Sequence, residues 1–178
     1  MQAKEPGAAQ PPLRLYNTMG RRVESFEPLH PPEVLIYTCG PTVYHFTHIG
    51  NLRSFVTPDI LRRVLEYNGY RVRQVKNITD VGHLREAGDD RMEEAARSEG
   101  SSPMQIADFY TSQYIDDEAS LNILPPAARP RATEYVPQMI ELTQELIDKG
   151  YAYAAGGNVY FDVAKFPTYG ALSGNRSE

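Results

Sequence analysis

The stretch Thr38-Cys39-Gly40-Pro41-Thr42-Val43-Tyr44-His45-Phe46-Thr47-His48-Ile49-Gly50-Asn51 gathers more chemistry-bearing side chains than any other part of the chain. It holds the one cysteine and two of the four histidines. An apolar run, Val34 to Tyr37, precedes it, and an amphipathic segment, Leu52 to Tyr67, follows it. The order reads as strand, loop and helix N-terminus, the place where an open α/β sheet presents its ligand-binding edge. Unpaired N–H groups and the positive end of a helix dipole favour an anion there. His48 and Asn51 can donate hydrogen bonds to phosphate oxygens, and Gly50 leaves room for a flat ligand such as a purine ring. The chemistry this would support is electrostatic stabilisation of a transferring phosphoryl or adenylyl group. The same pair would serve equally as an ordinary helix cap. Neither G-x-x-x-x-G-K-[ST] nor G-x-G-x-x-G occurs, so the two commonest nucleotide fingerprints are missing.

Cys39 ends the strand and has two readings. A lone cysteine is most simply a small buried hydrophobe. As a nucleophile it would need a base, which His45 or His48 could supply. As a zinc ligand it would need two or three companions, and no C-x-x-C or H-E-x-x-H is present. Thr79 and Asp80 end the next expected strand and would flank the same crevice, or simply make turn contacts. His83 reads as a solvated loop residue, and Arg62-Arg63 as a solvated helix face.

These residues need a scaffold to hold them. Residues 1–12 are rich in Ala, Pro and Gly and read as a flexible tail. Leu13 to Tyr16 and Val23 to Phe26 are expected to form short paired strands. Val34 to Thr38 is expected as a buried parallel strand. Leu52, Phe55, Val56, Ile60, Val64 and Tyr67 recur at helical spacing, with Pro58 expected to kink the helix and Gly69 to end it. Tyr70 to Val75 alternates as a second strand, which completes a βαβ crossover and predicts a parallel sheet. Val81 to Asp90 is expected as an exposed loop, Arg91 to Glu99 as a helix, and Ser102-Pro103 as the start of another reaching Ser120. The prolines of 124–131 suggest a subdomain border. Thr133 is then expected to cap a helix ending at Gly150, followed by a small hairpin over Tyr151 to Asp162.

Composition agrees with a globular chain. It has 178 residues, 41% of them hydrophobic, enough for a sizeable core. Lys+Arg of 18 against Asp+Glu of 23 leaves a net charge of -5, so the total charge gives no nucleic-acid footprint. A single cysteine cannot form an internal disulfide, which makes a reducing, cytoplasmic setting the expectation. No apolar run approaches membrane-spanning length and no secretory signal is visible, so no membrane partner is expected.

An ordered series of motifs resembles the N-terminal part of the cysteinyl-tRNA synthetase family, class I aminoacyl-tRNA synthetases. It comprises Leu15-Tyr16-Asn17-Thr18, Tyr37-Thr38-Cys39-Gly40-Pro41-Thr42-Val43-Tyr44, His48-Ile49-Gly50-Asn51, Leu61-Arg62-Arg63 and Asn77-Ile78-Thr79-Asp80-Val81. Leu121-Asn122-Ile123, Pro130-Arg131-Ala132-Thr133-Glu134, Tyr160-Phe161-Asp162-Val163 and Tyr169-Gly170-Ala171-Leu172-Ser173 continue it, so it covers roughly residues 13–173.

The resemblance implies an α/β fold class: the first half of a class I Rossmann-like nucleotide-binding fold with a parallel sheet, plus the start of a connective insertion. Residues 13–123 would be that half and 124–178 the beginning of the insertion. It implies ATP-dependent activation of cysteine and its transfer to tRNA(Cys). His48 and Asn51 would be catalytic, and Thr42, Tyr44, His48, Gly50 and Asn51 would bind ATP. Cys39, Gly40, Thr42 and Thr79 would line the cysteine pocket, with Cys39 also one ligand of a zinc ion that holds the substrate thiol. The family's other zinc ligands and its lysine-rich ATP loop have no counterpart here, so the chain would be an incomplete enzyme, expected as a monomer. The residues Gly82-His83-Leu84 depart from the acidic continuation common in the family. A cysteine ligase of low-molecular-weight thiol synthesis and a truncated non-catalytic paralogue are the alternatives.

Overall fold

The computed structural model describes residues 12–82 and 91–174. His83 and most of the loop expected over Val81 to Asp90 lie outside the described residues, as does nearly all of the expected N-terminal tail.

Two compact units are present, one of residues 29–142 and one of residues 1–28 with 143–178. The smaller unit contains a short strand pair near the start of the chain. That pair is β1 (Arg14–Asn17) and β2 (Arg22–Ser25), which run antiparallel. In the larger unit β3 (Glu33–Thr38) lies parallel to β4 (Arg71–Lys76), with Thr38 beside Lys76 at the carboxyl ends. Helix α1 (Ile49–Tyr67) connects them. This is the expected βαβ unit, within one residue at each strand end. Helix α1 runs unbroken through Pro58. Gly69 follows it with φ of 90°, a left-handed conformation that only glycine takes up without strain.

Alternation along β4 and its extension explains the burial. Gln74, Lys76, Ile78 and Asp80 are buried, whereas Asn77 and Thr79 are only half-buried on the opposite face. The buried face packs on α1 and on α3 (Pro103–Ser120), where Phe55, Ile78, Ile106, Tyr110 and Tyr114 share one core. Helix α2 (Arg91–Glu99) packs against α3. Ser102 caps α3, accepting from the Gln105 N–H, while Gln105 returns the bond to the Ser102 N–H at 2.9 Å. Proline at the first helical position completes the expected start.

The proline-rich stretch after Leu124 makes specific backbone pairings with β4. The N–H of Ala127 bonds Gln74, that of Lys76 bonds Ala128, and that of Ile78 bonds Pro130. Residues 127–131 therefore run parallel along the edge of β4 not used by β3. Two features depart from the sequence expectation. Thr133 caps no helix. Its N–H and hydroxyl both bond the Asp80 carboxylate, at 3.0 and 2.7 Å, and a short 3-10 turn (Ala132–Tyr135) intervenes before α4 (Val136–Asp148). Arg62 and Arg63 are not a free solvated face either. They pair with Glu66 and Asp59 on their own helix and reach the carbonyls of Pro125 and Asn122.

A buried ionic group lies where α3 meets β4. Glu118, 2% exposed, bonds both Lys76, 1% exposed, and Arg129. Lys76 also sits over the Phe55 ring, 5.0 Å from its centre. Burial, and next the neighbouring Glu118 carboxylate, push the Tyr114 hydroxyl far above the usual tyrosine range.

In the smaller unit β5 (Ala152–Ala155) and β6 (Asn158–Phe161) form the expected hairpin. Gly156 and Gly157 take φ of 57° and 81°, as a two-residue hairpin turn with both central residues left-handed requires.

Candidate active site

The loop from Cys39 to His48 leaves the carboxyl end of β3 and returns as α1. Two contacts with the extension of β4 fix its course. The Val43 N–H bonds the Thr79 carbonyl and the Thr79 N–H bonds the Pro41 carbonyl, which sets Thr42 beside Thr79. Further along, the Thr47 hydroxyl donates to Asp117 of α3. Val43 is 1% exposed and anchors the loop in the core.

At the start of α1, His48 and Asn51 form a reciprocal cap. The Gly50 N–H donates to His48 Nδ1 at 3.0 Å, and the His48 N–H donates to Asn51 Oδ1 at 3.3 Å. The capping role and an anion-binding role are thus compatible. A neutral imidazole whose Nδ1 accepts must carry its proton on Nε2, and an amide whose oxygen accepts keeps both N–H groups of its nitrogen. The cap consumes the acceptors and leaves the donors. Both residues are exposed, and with Pro41, Thr42, Tyr44 and Thr47 they line a cleft of about 320 Å³. Gly50 has a steric reason for being glycine. A Cβ there would lie 2.8 Å from His48 Cε1, so the imidazole occupies some of the room the sequence reading left for a purine ring. Thr42 and Tyr44 are half-buried, and Tyr44 packs against the core.

The Gly40 side of the crevice has its own anchor. The Gly40 N–H donates to Asn77 Oδ1 at 2.9 Å, while Asn77 Nδ2 donates to Thr79 Oγ1 at 3.1 Å. A Cβ on Gly40 would come within 1.8 Å of the Asn77 carbonyl oxygen, so no other residue fits without moving the backbone. Asn77 also lines a second cleft, about 480 Å³, with Tyr37, Tyr135 and Met139. In the sequence Asn77 stands out only as part of a motif. Its spacing two residues before Thr79, hence on the same strand face, was the available signal.

Cys39 is exposed, contrary to the buried reading, and its thiol donates to the Gly40 carbonyl at 3.4 Å. No histidine activates it among the described residues. His45 instead turns Nδ1 to the Phe46 carbonyl, and its ring stacks parallel to that of Tyr110. Among the described residues no three His, Cys, Asp or Glu side chains come together to hold a metal. Cys39 is accessible to one, but these residues do not complete a zinc centre around it. No helix among them is long and apolar enough to cross a membrane.

A strand-loop-helix edge with donors at the helix start and a small-residue crevice beside it is the arrangement expected of a class I tRNA synthetase fold. Residues 25–178 match the family of tRNA synthetases class I (C) catalytic domain, and the chain belongs to that family. Its relatives are cysteine–tRNA ligases. That of Thermosynechococcus vestitus is 50% identical over 167 residues, 94% of this chain and 33% of the relative. That of Chlorobium luteolum is 48% identical, covering 92% of this chain and 34% of the relative. That of Thermus thermophilus is 48% identical, covering 93% and 35%. The chain therefore spans about a third of the length of the curated relatives it matches. In fold it is similar to the LeuRS in a ternary complex from Agrobacterium radiobacter K84, with a TM-score of 0.57 at 22% identity, covering 71% of this chain and 16% of that one.

Proposed function

We propose that this chain supplies the ATP edge and part of the amino-acid pocket of a cysteine–tRNA ligase. The observation that carries the reading is 50% identity to such a ligase across 94% of the chain. The reaction has two steps. The carboxylate of cysteine attacks the α-phosphate of ATP, forming cysteinyl-adenylate and releasing pyrophosphate. A hydroxyl of the terminal adenosine of tRNA(Cys) then takes the cysteinyl group and AMP leaves.

In the first step His48 Nε2–H and the Asn51 amide nitrogen donate to the phosphate oxygens, where negative charge gathers. Thr42 and Tyr44 flank the nucleotide, and Gly50 keeps the imidazole in place. Gly40, Thr42 and Thr79 surround the amino acid. Residues 13–123 form the first half of a Rossmann-like domain, and 124–178 begin the connective insertion. Zinc enters through the resemblance alone. Cys39 would be one ligand, the metal's chemistry would be to hold a thiolate, and no step is drawn through it. The protein works in the cytoplasm as a monomer.

An amide-resolved NMR titration with ATP tests the nucleotide edge. Shifts confined to Thr42, Tyr44, His48, Gly50 and Asn51 are expected. A response that leaves these five unmoved contradicts the assignment.

A further inference from the structure

Asn77 makes two hydrogen bonds that fix the direction of a third. Gly40 N–H can only donate, so the side-chain atom facing it at 2.9 Å must be the amide oxygen. The nitrogen then faces Thr79 Oγ1 at 3.1 Å, where the hydroxyl must accept. The Thr79 proton is thereby turned away from Asn77. Asn77 and Thr79 share one strand face, half-buried, beside the Gly40 backbone that admits no Cβ. Resting on the reading of Gly40 and Thr79 as amino-acid-pocket residues, we propose that Asn77 is a positioning residue for substrate. Its amide latches Gly40 and sets the Thr79 hydroxyl as an outward donor to an electron-rich atom of the bound amino acid.

Aspartate separates the two jobs. In Asn77→Asp the carboxylate still accepts from Gly40, but it also accepts from Thr79, so the hydroxyl proton turns back into the protein. In Asn77→Ala both contacts are lost. The 178-residue chain and its variants are titrated by calorimetry with the non-hydrolysable adenylate analogue cysteinyl-sulfamoyl-adenosine and, separately, with ATP. Hydrogen exchange of the Gly40 amide is followed by NMR.

Asn77→Asp is expected to keep Gly40 protected yet bind the analogue about tenfold more weakly, as loss of one hydrogen bond to a charged or strongly polar group implies. ATP affinity is expected to stay unchanged in Asn77→Asp, which keeps the Gly40 latch. Thr79→Val should weaken the analogue as much as Asn77→Asp does, and the double variant no further. Asn77→Ala should lose both Gly40 protection and analogue affinity. Wild-type affinity in Asn77→Asp, equal weakening of ATP and analogue, or Gly40 exchange unaltered in Asn77→Ala would each overturn the inference. If the wild-type chain ignores the analogue, the pocket reading fails and the donor role with it, while Gly40 exchange still decides the latch.

Discussion

His48 serves the fold through one ring nitrogen, and the proposed reading gives the other nitrogen to a ligand. Its Nδ1 closes the end of α1, and this leaves Nε2–H as a donor at the surface. Gly50 makes the arrangement possible, because a methyl group there would collide with the ring. Gly50→Ala is expected to expel the imidazole, cost about 1 kcal/mol of stability through the lost cap, and abolish the ATP-induced shift at Asn51. Thermal denaturation and the NMR titration read the two effects. Tyr114 offers a pH prediction. Its folded-state pKa lies above its unfolded value of about 10, so its contribution is fully present below pH 10 and is lost as pH rises beyond it. Its hydroxyl also has no well-formed hydrogen bond. Tyr114→Phe is expected to change stability little at pH 7 and to remove part of the alkaline loss above pH 10, as measured by urea midpoints.

At the scale of elements, β3, α1, β4 and α3 were legible because each follows a local rule. Apolar periodicity, Ser-Pro capping and glycine stops act within a few residues. The segment 127–131 was not legible. It has no alternating pattern, and its place beside β4 comes from backbone groups that any sequence carries. Thr133 looked like a cap because its carboxylate partner, Asp80, lies 53 residues earlier in the chain. Glu118 could have been found. It continues the Ile106, Tyr110, Tyr114 spacing of α3 onto the buried side, where a carboxylate needs cationic partners. Glu118→Ala would strand Lys76 and Arg129 at the α3–β4 junction. A loss of about 3–5 kcal/mol is expected, which chemical denaturation would register. A loss below about 1 kcal/mol would show that water reaches Lys76.

On the scale of the whole molecule, the loop proposed as the nucleotide edge could be picked out because its residues are contiguous, from Thr38 to Asn51. The proposed amino-acid pocket was less accessible to sequence reading. Gly40 and Thr79 are joined through Asn77, and that bond crosses from one strand end to the next. The zinc assignment is the least legible part, since a single exposed thiol specifies no metal. The most direct measurement is cysteine-dependent ATP–pyrophosphate exchange by a hybrid. In it, residues 25–178 replace the matching segment of the Thermus thermophilus cysteine–tRNA ligase. The hybrid is expected to catalyse exchange and to lose it with His48→Ala, while the 178-residue chain alone gives none. A folded hybrid without exchange, or one indifferent to His48→Ala, would contradict the account.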